Sequence, residues 1–98
     1  MIRVQLPPQL RILANIHGEI KLDINGQITQ KAIIDAIETN YPTLRGTIRD
    51  DATQKRRPLL RFYACKQDLS HEPPDAPLPT PVQTGEEPFL IIAAVAGG

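Results

Sequence analysis

The chain holds a single cysteine, Cys65, so no disulfide can close within it, and its thiol content gives no sign of an oxidising compartment. Serine is as scarce, with Ser70 alone, and the two histidines, His17 and His71, lie far apart. These shortages remove whole reaction classes. A zinc site needs several Cys or His ligands at short spacing, and a four-cysteine iron–sulfur centre cannot be built from one thiol. Ser70 and His71 are neighbours whose side chains diverge on an extended chain, so they do not read as a nucleophile and its base. His71 beside Glu72 reads as loop decoration, and no phosphate-cradling glycine loop is present. Net charge is also missing: eleven basic residues balance eleven acidic ones, which excludes a basic nucleic-acid arm or an acidic tail as the main feature. The longest apolar run, residues 89–96, is too short to span a bilayer. The first residues alternate at once, without the apolar block of a signal peptide. A cytoplasmic protein with neither nucleic acid nor membrane as partner is expected.

Ninety-eight residues, 41% of them hydrophobic, suffice for one domain with a modest core. Ile2, Val4 and Leu6 alternate with Arg3 and Gln5, the period of a half-buried strand, and Pro7-Pro8 ends it. Residues 9–15 fit a short helical turn with Leu10, Leu13 and Ala14 inward. A second strand over 19–24 puts Ile20, Leu22 and Ile24 on one face. It lies between Gly18 and Asn25-Gly26, which suit turns, and would pair with the first as a hairpin. Residues 29–40 form the best helix, capped by Thr29. Ala32, Ile33, Ala36, Ile37 and Tyr41 make its apolar stripe, Ile34 lies at the edge, and Lys31, Asp35 and Glu38 face away. Tyr41-Pro42 stops it, and residues 43–54 read as an irregular connection. A third strand over 59–65 points Leu60, Phe62 and Ala64 inward, with Cys65 a small buried hydrophobe near its end. Half of residues 72–81 are proline, which reads as a stiff surface loop. Gly85 marks a turn. Residues 89–93 are apolar on both faces, which suits a central strand covered on one side and close to a partner on the other. Strand, strand, helix, strand, strand gives an α+β domain, a mixed sheet of four to five strands with one main helix on one face. With the first and last strands as parallel neighbours, that is the β-grasp arrangement, a single domain over 1–98.

Charge is balanced only globally. Residues 43–66 carry a net +5 and residues 67–98 a net −5. The plainer reading is that the two segments fold together and neutralise each other. The run Lys55-Arg56-Arg57 with Arg61 has no interleaved aromatics for a nucleic-acid surface, and reads as a solvated turn or as steering toward an acidic protein.

The last two residues are glycines, and Ala94-Val95-Ala96-Gly97-Gly98 follows a core strand directly. Terminal glycines alone often mean fraying. A tail without charge or bulk, launched from a rigid strand, is also free to enter a narrow channel, because glycine lets backbone pass close to other groups. Residues 94–98 are therefore expected to be a flexible tail, with Val95, Ala96 and Gly97 allowing threading and Gly98 as the acyl carrier. A carboxylate is a poor electrophile, so chemistry there requires activation by a partner, most simply as an acyl-adenylate.

That ending, the element order and the segment Tyr41-Pro42-Thr43-Leu44-Arg45-Gly46 resemble the MoaD/ThiS family of ubiquitin-like sulfur carriers over nearly the whole chain, nearest to the molybdopterin synthase small subunit. The resemblance implies an adenylating enzyme that uses ATP on Gly98, a thiocarboxylate as product, and sulfur donation inside a second partner. That partner would be the large subunit of molybdopterin synthase, in molybdenum cofactor biosynthesis, or another sulfur acceptor. The chain itself would have no active site and bind no cofactor or metal. Leu59, Tyr63, Leu90 and Ile92 would supply an apolar docking patch on the sheet face away from the helix, unless the proline-rich loop packs over it. Three departures lie in loops: Lys66-Gln67-Asp68 where the family often has Asn-Gly, the insertion 73–81, and Gly85-Glu86-Glu87-Pro88 before the last strand. A ubiquitin-like modifier joined to lysines, a carrier for cysteine or thiamine synthesis, and a plain interaction module are the alternatives.

Overall fold

The computed structural model describes residues 1–94. Its elements are β1 (Ile2–Gln5), α1 (Pro8–Leu13), β2 (Ile20–Leu22), α2 (Gln30–Asn40), a 3-10 turn (Pro42–Leu44), β3 (Leu60–Ala64), β4 (Gln67–Asp68), α3 (Thr80–Thr84) and β5 (Phe89–Ala93). The five strands form one sheet in the order β2-β1-β5-β3-β4. β1 and β5 run parallel at its centre, with Val4 opposite Phe89 and Gln5 opposite Leu90. The other pairings are antiparallel. This is the β-grasp, ubiquitin-like fold.

Alternation builds the core. Ile2, Val4, Ile20, Leu22, Leu60, Phe62, Phe89 and Ile91 point to one face and are buried there, and Ile33, Ile34 and Ile37 of α2 close over them. The Phe62 and Phe89 rings meet at 5.4 Å and 46°, a tilted arrangement that adds about 1 kcal/mol to their burial. Thr29 caps α2 as its sequence signature requires: its Oγ1 accepts from the amide of Ala32 at 3.0 Å. Ile34 is fully in the core rather than at the edge of the stripe. Leu13 is exposed, because α1 ends at that residue and only Leu10 of the helix is buried.

Asp35 and Glu38 do not simply face solvent. Arg49 is 5% exposed, and its guanidinium bonds Asp35 Oδ1 and both carboxylate oxygens of Glu38, the latter at 3.0 and 3.2 Å. The irregular segment after α2 is thereby pinned to the helix, with Leu44 and Ile48 sealed beneath it. The expected neutralisation between residues 43–66 and 67–98 is not found: every ion pair among the described residues joins partners outside the 67–98 segment.

Two further expectations change. Cys65 is half-exposed rather than buried, and with Lys66 it forms the two-residue turn of the β3–β4 hairpin, at φ +52° and +65°. Two positive φ values are the I′ geometry that suits the right-handed twist of a hairpin, so Asp68 pairs as strand instead of sitting in the turn. The proline-rich stretch lies along the start of α2, where the Leu78 amide donates to Ile28 O and the Lys31 amide to Pro74 O, both at 2.9 Å. Its end continues into α3, which buries Val82. Gly85 ends α3 at φ +83°, where a Cβ would stand 2.5 Å from the Met1 carbonyl oxygen.

Three outcomes follow. Arg49→Met strands Glu38 without its counter-charge and lowers stability by about 3 kcal/mol in urea denaturation. Burial pushes the Asp35 carboxyl up, but the hydrogen bonds from Lys31 and Arg49 outweigh it and hold it below its ordinary value. Its contribution is therefore present above the unfolded-state value and lost as pH falls through the folded one. The wild-type chain loses stability below about pH 4 more steeply than Arg49→Met. In the hairpin, the double change Cys65→Asn and Lys66→Gly relieves two strained residues and raises stability by about 1 kcal/mol on the same measurement.

Candidate functional site at the end of the central strand

β5 is paired on both edges, with β1 on one side and β3 on the other. Leu60 faces Ala93, and the Ala94 amide donates to Leu59 O at 2.6 Å. The sheet therefore holds the chain through Ala94, the first residue of the expected tail. Val95, Ala96, Gly97 and Gly98 lie outside the described residues.

The face of the sheet away from α2 carries the other four expected residues. Tyr63 and Leu90 are cross-strand partners and both are half-buried. Ile92 is 42% exposed and Leu59 55%. The proline-rich loop binds at the start of α2 instead, so it leaves this face uncovered. Leu90, Ile92 and Ala94 also line a groove of about 670 Å³ whose opposite wall is Leu6, Pro7 and Pro8, at the turn from β1 into α1. Leu59 and Tyr63 do not line it. The sequence reading missed that wall; its signal is the parallel register, which places whatever follows Gln5 beside Ile92.

Polar groups flank the strip. Arg3 Nε donates to Glu19 Oε1 at 2.8 Å, and Arg3 Nη2 and Gln5 Nε2 donate to Oε2 at 3.1 Å. The hydrogen bond from Arg3 first, then that from Gln5, holds the Glu19 carboxyl below its ordinary range. On the other side Arg61 Nη1 lies 3.4 Å from His71 Nε2.

Ser70 is structural: its Oγ accepts from the Phe62 amide at 2.8 Å and its own amide donates to Asp68 Oδ1 at 2.9 Å. Among the described residues no three His, Cys, Asp or Glu side chains are grouped as metal ligands, and no helix is long and apolar enough to cross a membrane.

No protein-family model matches the chain, and no curated protein does. Solved structures do. SAMP1 from Haloferax volcanii superposes with a TM-score of 0.73 at 16% identity, over 98% of this chain and 97% of that one. A chain of the Amycolatopsis orientalis BexX/CysO complex gives 0.74 at 20% identity over the whole of both chains. A second structure of the Haloferax protein, small archaeal modifier protein 1, gives 0.72 at 13% identity over 95% of both. At these identities the likeness is one of fold.

The two faces of β5 carry different loads, and substitution separates them. Ile91→Ala opens a cavity in the core and costs about 3 kcal/mol in chemical denaturation, whereas Ile92→Ser on the open face changes stability by less than about 0.5 kcal/mol.

Proposed function

We propose that the chain is a sulfur carrier and that its functional group is the carboxylate of Gly98. The observation that carries this reading is the position of β5: the strand leading to Gly97 and Gly98 is the central one, paired with β1 at Phe89 and Leu90 and with β3 along its length through Ala94, beside an open apolar face. A rigid base places a small, uncharged tail in a partner's active site at little cost in ordering the rest of the molecule. The matching fold of small archaeal modifier protein 1, and of a chain found in the BexX/CysO complex, supports a domain that works through partner proteins.

The chemistry belongs to those partners. An adenylating enzyme joins the Gly98 carboxylate to the α-phosphorus of ATP, and pyrophosphate leaves. A sulfur nucleophile at the level of hydrosulfide then attacks the acyl carbon. The C–S bond forms, the C–O bond to AMP breaks, and AMP departs with the electron pair, leaving a thiocarboxylate without net oxidation or reduction. Gly97 and Ala96 let the tail thread; Leu90 and Ile92, with Leu59 and Tyr63, give the partner an apolar face. By its resemblance to the MoaD/ThiS family the acceptor is the large subunit of molybdopterin synthase, which places the sulfur in molybdopterin. The name of the archaeal neighbour favours a second reading, a modifier, in which a lysine amine takes the place of sulfur and Gly98 ends in an isopeptide bond.

Intact-mass spectrometry of the protein isolated from its source decides between them. A carrier gains the mass of one sulfur for one oxygen at Gly98, and a modifier yields peptides with Gly98 on lysine; the absence of both products, even with the activating enzyme and ATP supplied, refutes the tail reading. Deleting Gly98 abolishes adenylation by the cognate activating enzyme. It leaves Tm within about 1 °C, because the buried core described here ends at Ile91.

A further inference from the structure

On the helix side of the sheet a second cavity, of about 340 Å³, opens between the start of α2, residues 54–56 and residues 70–74. Lys31, Arg49, Lys55, Arg56 and His71 line it, against one carboxylate, Glu72, over an apolar floor of Ile34 and Phe62. Of the lysines and arginines two are already matched, Arg49 by Asp35 and Glu38 and Lys31 by Asp35. Lys55 and Arg56 form no ion pair among the described residues.

Arg56 is nevertheless fixed. Its Nε donates to Ser70 O at 3.3 Å and its Nη1 to Leu60 O and Arg57 O at 2.5 and 3.2 Å, while no hydrogen bond among the described residues uses Nη2. A guanidinium held by main-chain carbonyls keeps its full charge and has already lost rotamer freedom, so an oxyanion meets a pre-ordered donor. This differs from a solvated surface charge, which must be ordered on contact. The position adds to the chemistry. Arg56 grips the first residue of β3, and that strand's start holds Ala93 and Ala94. The cavity thus lies at the same end of the sheet as the tail, on the face opposite the apolar groove.

We propose that this cavity binds an acidic peptide segment of the partner protein that engages the tail. Its occupant's identity as that partner rests on the sulfur-carrier reading; the charge match does not. A Glu or Asp carboxylate bonds Arg56 with Lys55 beside it, and the methylenes of the segment cover Pro74, which is exposed in the lining. That apolar contact with Pro74 favours a peptide over a bare inorganic ion, which would gain nothing from it.

The test titrates the full chain at low ionic strength with a fluorescein-labelled hexaglutamate peptide, read by anisotropy and by amide shifts in a ¹H–¹⁵N spectrum. Shifts confined to the cavity, around Lys55, Arg56, Ser70 and His71, support the proposal. Lys55→Glu then weakens binding about tenfold or more, whereas Arg45→Glu, the same charge change at an exposed position outside the cavity, stays within about twofold. Equal losses in the two variants, shifts on Leu90 and Ile92, no binding, or inorganic phosphate taking the same site with equal affinity would each overturn it. A chain lacking residues 97–98 keeps the peptide affinity. Lost peptide binding with intact thiocarboxylate formation refutes this cavity alone; the reverse result refutes the tail chemistry alone.

Discussion

The structure depends on the parallel pairing of β1 with β5. Those strands are separated by almost the whole chain, so the loop-closure entropy is large and is recovered only when the last strand docks. A short register secures it, Val4 on Phe89 and Gln5 on Leu90. The side chains on the inner face make that short register sufficient: Val4 and Phe89 are fully buried and Phe62 packs against Phe89. The consequence is topological. Parallel neighbours cannot be joined by a tight turn, so everything between them must cross over, and α2 covers the inner face in doing so. The C-terminal strand then occupies the most constrained place in the sheet instead of an edge.

A second constraint keeps the long connection between α2 and β3 in place without regular structure. Leu44 and Ile48 are sealed into the core, and polar side chains bind backbone or helix around them. Arg49 bonds Asp35 and Glu38, Asp50 Oδ1 accepts the amides of Ala52 and Thr53 at 2.9 and 2.8 Å, and Arg57 Nε donates to Gly46 O at 2.9 Å. Arginines in this segment are therefore used on carbonyls and nearby carboxylates. That is why the charge imbalance between residues 43–66 and 67–98 survives folding.

Periodicity made the first three strands and the main helix readable, because β1, β2 and β3 each have one buried face and an unbroken pattern of two: Ile2 and Val4, Ile20 and Leu22, Leu60 and Phe62. The Thr29 cap and the Tyr41-Pro42 stop are local steric and hydrogen-bonding rules, and they read equally well. What failed depends on contacts distant in sequence. Leu13 carries the same apolar signal as Leu10, yet one points to the core and the other to solvent, which is decided by where α1 lies on the sheet. Asp35 and Glu38 look like an exposed helix face until Arg49, eleven or more residues later, arrives between them. Cys65 and Lys66 sit in left-handed backbone with neither glycine nor asparagine to announce it, since pairing of β3 with β4 overrides the local cost. Of the candidate site, Leu59, Tyr63, Leu90 and Ile92 followed from alternation. Pro7 and Pro8 did not, because only the parallel register brings them beside β5.

On the sulfur-carrier reading, partner choice resides in the surface rather than the fold, because chains 13–20% identical share this fold. Around the end of β5 this chain sets two surfaces of unlike chemistry on opposite faces: an apolar groove walled by Pro7 and Pro8, and a cation-lined cavity ordered by Arg56. A partner that matches one face and not the other loses either burial or charge pairing, so discrimination arises from the difference between them. Because β5 is paired with β1 at Phe89 and Leu90 and with β3 through Ala94, a partner seated on either face meets a strand fixed in register. On the sulfur-carrier reading, local side-chain chemistry selects the partner, and the central strand turns that selection into presentation of the chain's last carbonyl.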